Sequence, residues 1–161
     1  MPGQNIELHM VNRITIGAVG PPGQRLFLFQ ASDAIDTITL KLEKEQARAL
    51  AQAIEELLEN LSEQFPGDEA ASLSPLSDDL LLKEPTEPLF AIGQIGLGFD
   101  QARNMIVLAM QELLLDESEE PSTARFWITR DQVKALSRHA LEVVEQGRPS
   151  PRTNGYYPAP L

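Results

Sequence analysis

Two stretches of this chain follow the same plan. Ile14 to Glu59 runs ITIGAVGPPGQRLFLFQ…ITLKLEKEQARALAQAIEELLE, and Phe90 to Glu145 runs FAIGQIGLGFDQARNMIVLAM…ARFWITRDQVKALSRHALEVVE. Each opens with an apolar run ending in Ile-Gly (Ile16-Gly17 and Ile92-Gly93). Each continues through a glycine-rich turn to an arginine (Arg25 and Arg103), then two further apolar runs and a helical pattern. Self-similarity on this scale has to be accommodated by any fold assigned to the chain. Short turns between consecutive strands imply antiparallel meanders, and a helix with one apolar stripe must lie on a sheet. The expectation is an α+β fold of two β-β-β-α repeats, 5–62 and 89–147. A pseudo-twofold between them would give an antiparallel sheet of about six or seven strands with two packed helices.

Local pattern supplies the detail. Ile6, Leu8 and Met10 alternate with Glu7, His9 and Val11, as a short strand suited to a sheet edge. Arg13 to Val19 is rich in β-branched residues and reads as a strand. Gly20-Pro21-Pro22-Gly23 must turn, because proline fixes φ and glycine admits positive φ. Arg25 to Ala31 is a nearly unbroken apolar run, the mark of a strand covered on both faces. Thr37 to Leu42 alternates, with Ile38, Leu40 and Leu42 inward and Thr37, Thr39 and Lys41 outward. From Lys44 the period changes to about 3.6, and Ala47, Leu50, Ile54, Leu57, Leu58 and Leu61 form the stripe of a helix ending near Leu61 or Ser62. In the second stretch, strands are expected at Phe90–Ile95, Arg103–Leu114 and Ala124–Thr129, with a turn at Gly96–Gln101. Thr129-Arg130-Asp131-Gln132 is a capping box for a helix whose stripe is Val133, Leu136, Ala140, Val143 and Val144. Glu43-Lys44-Glu45-Gln46 is the aligned, poorer cap of the first helix.

Two segments differ in kind. Residues 63–88 form an acidic, proline- and serine-rich linker, in which Leu76, Leu80, Leu81 and Leu82 are the residues able to pin it to the core. Residues 148–161, RPSPRTNGYYPAPL, form a proline-rich tail with two arginines and no acid. The chain of 161 residues is otherwise acidic, with 13 Lys and Arg against 24 Asp and Glu and a net charge of −11. That charge repels phosphate backbones, so no nucleic-acid partner is expected. With no cysteine there is no disulfide, thiolate ligand or cysteine nucleophile. The opening MPGQNIELHM has neither the basic start nor the apolar run of a signal peptide, and no stretch has the ~20 apolar residues of a membrane span. A soluble cytoplasmic protein, treated as one domain over 1–161, is expected.

The segments GAVGPPGQRLFLFQA (Gly17 to Ala31), LEKEQ (Leu42 to Gln46) and GRPSPRTNGY (Gly147 to Tyr156) carry a family resemblance. Through them the chain resembles the DUF3090 family of uncharacterised bacterial proteins, found mainly in actinobacteria. Many members resembling this chain end in a cysteine-rich tail, with Cys-Pro-x-Cys and a later Cys-Pro before Asn-Gly-Tyr, which looks like a zinc knuckle. Here Ser150-Pro151-Arg152-Thr153-Asn154-Gly155-Tyr156 stands in that place, and without cysteine such a knuckle cannot bind zinc. The resemblance implies no activity, substrate or catalytic residue.

Candidate chemistry is sparse. Gly17-x-x-Gly20-x-x-Gly23-x-Arg25 has the glycine content of a phosphate loop, but a strand follows it where such loops need a helix N-terminus, so it reads as a hairpin turn. Arg25 and Arg103 fall at equivalent places of the two repeats and are the candidate ligand-binding pair for an anion. The competing reading pairs each with a surface carboxylate. His9 and His139 lack the i, i+4 partner of a metal site and read as structural, and Trp127 reads as strand packing. Arg148, Arg152, Tyr156 and Tyr157 of the tail are the candidate partner-binding residues, suited to docking as an extended peptide; plain terminal disorder is the competing reading. The expectation is a non-catalytic cytoplasmic interaction or regulatory protein, acting through its sheet surface or its tail on a protein partner, with no catalytic residue, metal or cofactor. The alternative is a small-molecule binding protein or enzyme with an anion held between the repeats near Arg25 and Arg103.

Overall fold

The computed structural model describes residues 3–21, 23–65 and 80–146. Its elements run β1 (Asn5–Leu8), β2 (Arg13–Val19), β3 (Leu26–Ser32), β4 (Thr37–Leu42), α1 (Lys44–Gln64), β5 (Ile92–Asp100), β6 (Met105–Glu112), β7 (Thr123–Ile128) and α2 (Arg130–Gln146). The fold is α+β. Its strands fall into two sheets, β2-β3-β4 and β1-β7-β6-β5, which corrects the expectation of one sheet of six or seven strands. The physical reason is that, among the described residues, no ladder joins the two trios of strands: the chain entering β5 meets β4 through the isolated Lys41–Ala91 bridge, and β1 extends the second trio only. β1 lies parallel to β7, with Asn5 opposite Thr123 and Leu8 opposite Phe126, and so joins the sheet built from the second stretch. All other strand pairs are antiparallel, as their short turns require.

A second correction concerns Gly96-Leu97-Gly98. The expected turn is strand: β5 continues to Asp100, and the chain reverses over residues 101–104. The residue in the left-handed region there is Asn104, at φ 54°. Its side chain accepts a hydrogen bond from Arg130 Nη2 at 2.9 Å, and the same nitrogen donates to the Phe65 carbonyl at the end of α1.

The inward faces of both sheets and the apolar stripes of both helices form one core. Phe29 of β3 and Phe126 of β7, both fully buried, meet with ring centroids 5.2 Å apart. The helices pack on each other, and α2 also lies along β2. Both helix starts use the glutamine found from the sequence. Gln132 Oε1 accepts from Thr129 N at 2.8 Å while Thr129 Oγ1 accepts from Gln132 N at 3.0 Å. Gln46 Oε1 accepts from Glu43 N at 2.7 Å. The free amide of each then donates to a backbone carbonyl of the other half, Gln46 to that of Ile92 in β5 at 3.0 Å and Gln132 to that of Val11, between β1 and β2, at 2.8 Å.

Residues 80–88 cross the outer face of the three-stranded sheet. Leu82 sits against Gly17, where a Cβ would come within 2.6 Å of its Cγ. Beneath the segment lies a row of buried polar side chains: Arg13, Thr15, Gln30, Ser32 and Thr39. Gln30 donates to the carbonyls of Lys83 (2.6 Å) and Pro85 (3.2 Å) and accepts from Lys83 N (3.0 Å). Arg13 donates to the Leu81 carbonyl, and Thr15 to that of Leu80. The segment is thus held by the carbonyls of Leu80 and Leu81 and by the Leu82 side chain, while the Leu81 side chain is 60% exposed rather than pinned to the core; Leu76 and the rest of 66–79 lie outside the described residues. The chain then passes beside β4, through Leu89 N to Thr39 O (2.8 Å) and Lys41 N to Phe90 O (3.0 Å), before entering β5.

Candidate functional site

Alternation along a strand gives each sheet two faces. In the four-stranded sheet the inward face is closed: Ile106, Leu108, Met110, Ala124, Phe126 and Ile128 are buried. The outward residues Met105, Val107, Ala109 and Gln111 of β6, with Thr123, Arg125 and Trp127 of β7, remain half-buried, with Gln94 and Gly96 of β5 exposed. Register places Gly96 opposite Ala109 and Ala109 opposite Arg125; Gly98 faces Val107, which faces Trp127. The floor between β5 and β6 is therefore made of glycine, alanine and valine. A hollow of about 220 Å³ opens there, rimmed by Gln94, Gln111, Thr123 and Arg125.

One end of this face is a connected polar cluster. The His9 imidazole stacks on the Trp127 indole, with centroids 3.9 Å apart and planes inclined by 21°. Arg103 lies over the same indole at 5.6 Å and donates from Nη1 to His9 Nδ1 at 2.8 Å. A guanidinium only donates, so Nδ1 must be an acceptor. The imidazole proton then sits on Nε2, which donates to Glu7 Oε1 at 3.0 Å. Trp127 Nε1 donates to Asp100 Oδ2 at 3.2 Å, and Arg103 approaches the same carboxylate at 3.7 Å. Arg125 stands 3.7 Å from Glu7. These are exposed, mutually compensated charges, each of the kind that contributes little to stability. What they do is fix the orientation of Trp127 and of two guanidinium groups beside the open floor.

Of the two arginines picked out from sequence, Arg103 lies on this face. Arg25 lies at the start of β3 in the other sheet, its Nε buried and without a hydrogen-bond partner. No described hydrogen bond, ion pair or ring contact joins the two. His139 is half-buried on α2. Arg148, Arg152, Tyr156 and Tyr157 lie outside the described residues. Sequence reasoning did not find the grouping of Glu7, His9, Asp100, Arg125 and Trp127. The sequence reads Trp127 as strand packing; the alternation of Thr123, Arg125 and Trp127 with the buried Ala124, Phe126 and Ile128 is the signal that could have marked an outward face, but the arrival of His9 depends on the β1–β7 pairing. Among the described residues, no group of three or more His, Asp or Glu side chains is placed to hold a metal, and no helix is long and apolar enough to cross a membrane.

The carboxyls held below their ordinary range lie elsewhere, in turns. The backbone N–H groups of Asp36 and Ile35 stabilise the charged form of Asp33, and the N–H and hydroxyl of Ser118 do the same for Asp116.

A model of DUF3090, a family of proteins of unknown function, matches residues 6–155. The chain belongs to this family. No curated protein and no solved structure matches it. The DUF3090 match takes in all of β2 to α2, and with them the whole open face apart from Asn5. This DUF3090 chain contains no cysteine, so the cysteine-rich ending is missing from it.

Proposed function

We propose that this DUF3090 protein is a non-catalytic interaction protein, and that a protein partner docks on the open face of its four-stranded sheet. One observation carries the reading. The outer face of the three-stranded sheet is sealed by residues 80–88, whereas no described segment covers the outer face of the four-stranded sheet. The oriented tryptophan and arginines on that face are residue types that anchor protein contacts. Strands about 4.8 Å apart and a central β6 of 8 residues give a face of roughly 19 by 26 Å, or about 500 Å². Stable complexes use about 800 Å² per partner, so the contact expected is a transient one.

The proposal takes the setting to be cytoplasmic and the β2-β3-β4-α1 and β5-β6-β7-α2 stretches to be copies related by a pseudo-twofold. The matching roles of Gln46 and Gln132 support the second point. An anion held jointly by Arg25 and Arg103 has less support, since Arg103 is already engaged by Asp100 and His9.

The test is affinity capture from native cell extract with three baits: the whole chain, a version ending at Gly147, and Gln111→Glu/Arg125→Glu. The expected result is a protein retained by the first two and lost by the third. Retention by the face variant at the wild-type level, or no retained protein at all, defeats the proposal. Retention by the whole chain alone would move the contact to the tail.

A further inference from the structure

A sheet edge is a row of N–H and C=O groups without partners, and folded proteins protect such rows. Three of the four edges here are protected. α2 packs along β2. Residues 89–91 hydrogen-bond along β4. β1 is short, at 4 residues, and carries Glu7. The fourth edge is β5, with 9 residues and no charged side chain before Asp100. Among the described residues, no hydrogen bond from outside the sheet reaches its backbone beyond Ile92, which accepts from Gln46. Its inward residues Ile95, Leu97 and Phe99 are only half-buried, although the β6 residues opposite them, Met110, Leu108 and Ile106, are at most 1% exposed. Between α1 and β5, the small residues Ala49, Ala53 and Gly93 leave a groove of about 310 Å³ along this edge.

We propose that β5 pairs antiparallel with β5 of a second copy, joining two four-stranded sheets into one of eight strands about a twofold axis. Charge favours this occupant. With a net charge of −11, two copies repel wherever acids meet, and β5 offers an uncharged run from Ile92 to Phe99. The strand is also self-complementary, as a twofold interface requires. An axis at Leu97 sets Leu97 against Leu97, Ile95 against Phe99 and Gly96 against Gly98. An axis at Gly96 sets Ile95 against Leu97 and Gly96 against Gly96. Both registers keep inward residues on the inward side and bring no like charges opposite one another. The partner's aliphatic side chains then enter the groove beside Ala49 and Ala53.

Sedimentation equilibrium on the full chain tests this, with Gly96→Lys/Gly98→Lys as the variant. A Cβ at Gly96 meets only the Ala109 Cβ at 3.8 Å, and one at Gly98 meets nothing within 4 Å, so the fold of each copy is preserved, which circular dichroism checks. Either register sets lysine against lysine. The wild type is expected to sediment as a dimer and the variant to dissociate with a constant raised about tenfold or more. The chain has no cysteine, so a second variant, Gly96→Cys/Gly98→Cys, is expected to give a covalent dimer on oxidation. A monomeric wild type, a double-lysine variant that stays dimeric, or failure of the cysteine variant to cross-link overturns the proposal.

Discussion

Replacing Gln30 by leucine tests how residues 80–88 are held. Gln30 is fully buried and, among the described residues, has bonds both to and from that segment, donating to the Lys83 carbonyl and accepting from the Lys83 N–H. Its Oε1 accepts from Lys83 N and from Arg13 Nη2, each at 3.0 Å; its amide nitrogen donates to Thr39 Oγ1 and to the carbonyls of Lys83 and Pro85. Leucine fills similar space and answers none of these. The Pro85 carbonyl keeps its bond from Thr39 (2.6 Å), and Arg13 Nη2 keeps Ser32 (3.2 Å). The groups that lose most are the Lys83 N–H and C=O and one share of the Arg13 guanidinium. Lys83 is exposed, so water can reach its backbone and the lower end of the range applies, about 1 kcal/mol for each neutral group and somewhat more for the charged one. The sum is about 3 kcal/mol. For a chain of this size that corresponds to a fall in Tm of roughly 6–12 °C. Urea unfolding measures the free energy, and hydrogen exchange at the Lys83 amide gives the local reading. A Gln30→Leu protein that loses less than about 1 kcal/mol and keeps its Lys83 amide protected refutes the assignment of Gln30 as the clamp.

Three further outcomes are expected. Gly17→Val places a side chain where Leu82 lies and is expected to cost about 1–3 kcal/mol, with faster exchange at Lys83; unchanged exchange counts against the packing described. Gln132→Ala removes half of a capping box and the bond to Val11, an expected loss of about 1–2 kcal/mol by urea unfolding, and a loss too small to measure argues that the tie is idle. Asp33 has a folded-state pKa below its ordinary 3.8, so its contribution is present above that value and is lost as pH falls through the folded pKa. Asp33→Asn is therefore expected to make stability less dependent on pH between about 5 and 2, and an unaltered profile would show that the turn does not sense the charge.

Much of the fold was legible from period and capping. β2, β3 and β4 run close to where alternation placed them, and both helices begin at their glutamine caps, because these are signals within a few residues. β5 was cut short because Gly96 and Gly98 resemble a turn on composition, while the residue that takes positive φ is Asn104, which composition does not single out. Thr39 was assigned outward and is outward, yet buried, since residues 80–88 lie over it. A polar residue on an alternating strand looks the same whether water or a buried carbonyl is its partner. Of the candidate site, only Arg103 is picked out from the sequence; Trp127 reads as strand packing, because alternation alone does not say which face of β7 is open. The contact of His9 with both depends on strands 118 residues apart, which no local pattern encodes.

That pairing also dictates an order of events. β1 leaves the ribosome ahead of β7 and has no sheet to join until β7 follows. At the ~5–20 residues per second of translation, 118 residues amount to roughly 6–24 s. β2 likewise waits for α2, the last of the described elements, to lie along it. The first stretch made is therefore not an independent folding unit. β1 and the β2 edge of the three-stranded sheet stay unsatisfied until β7 and α2 have been made, and both are closed by elements of the second stretch.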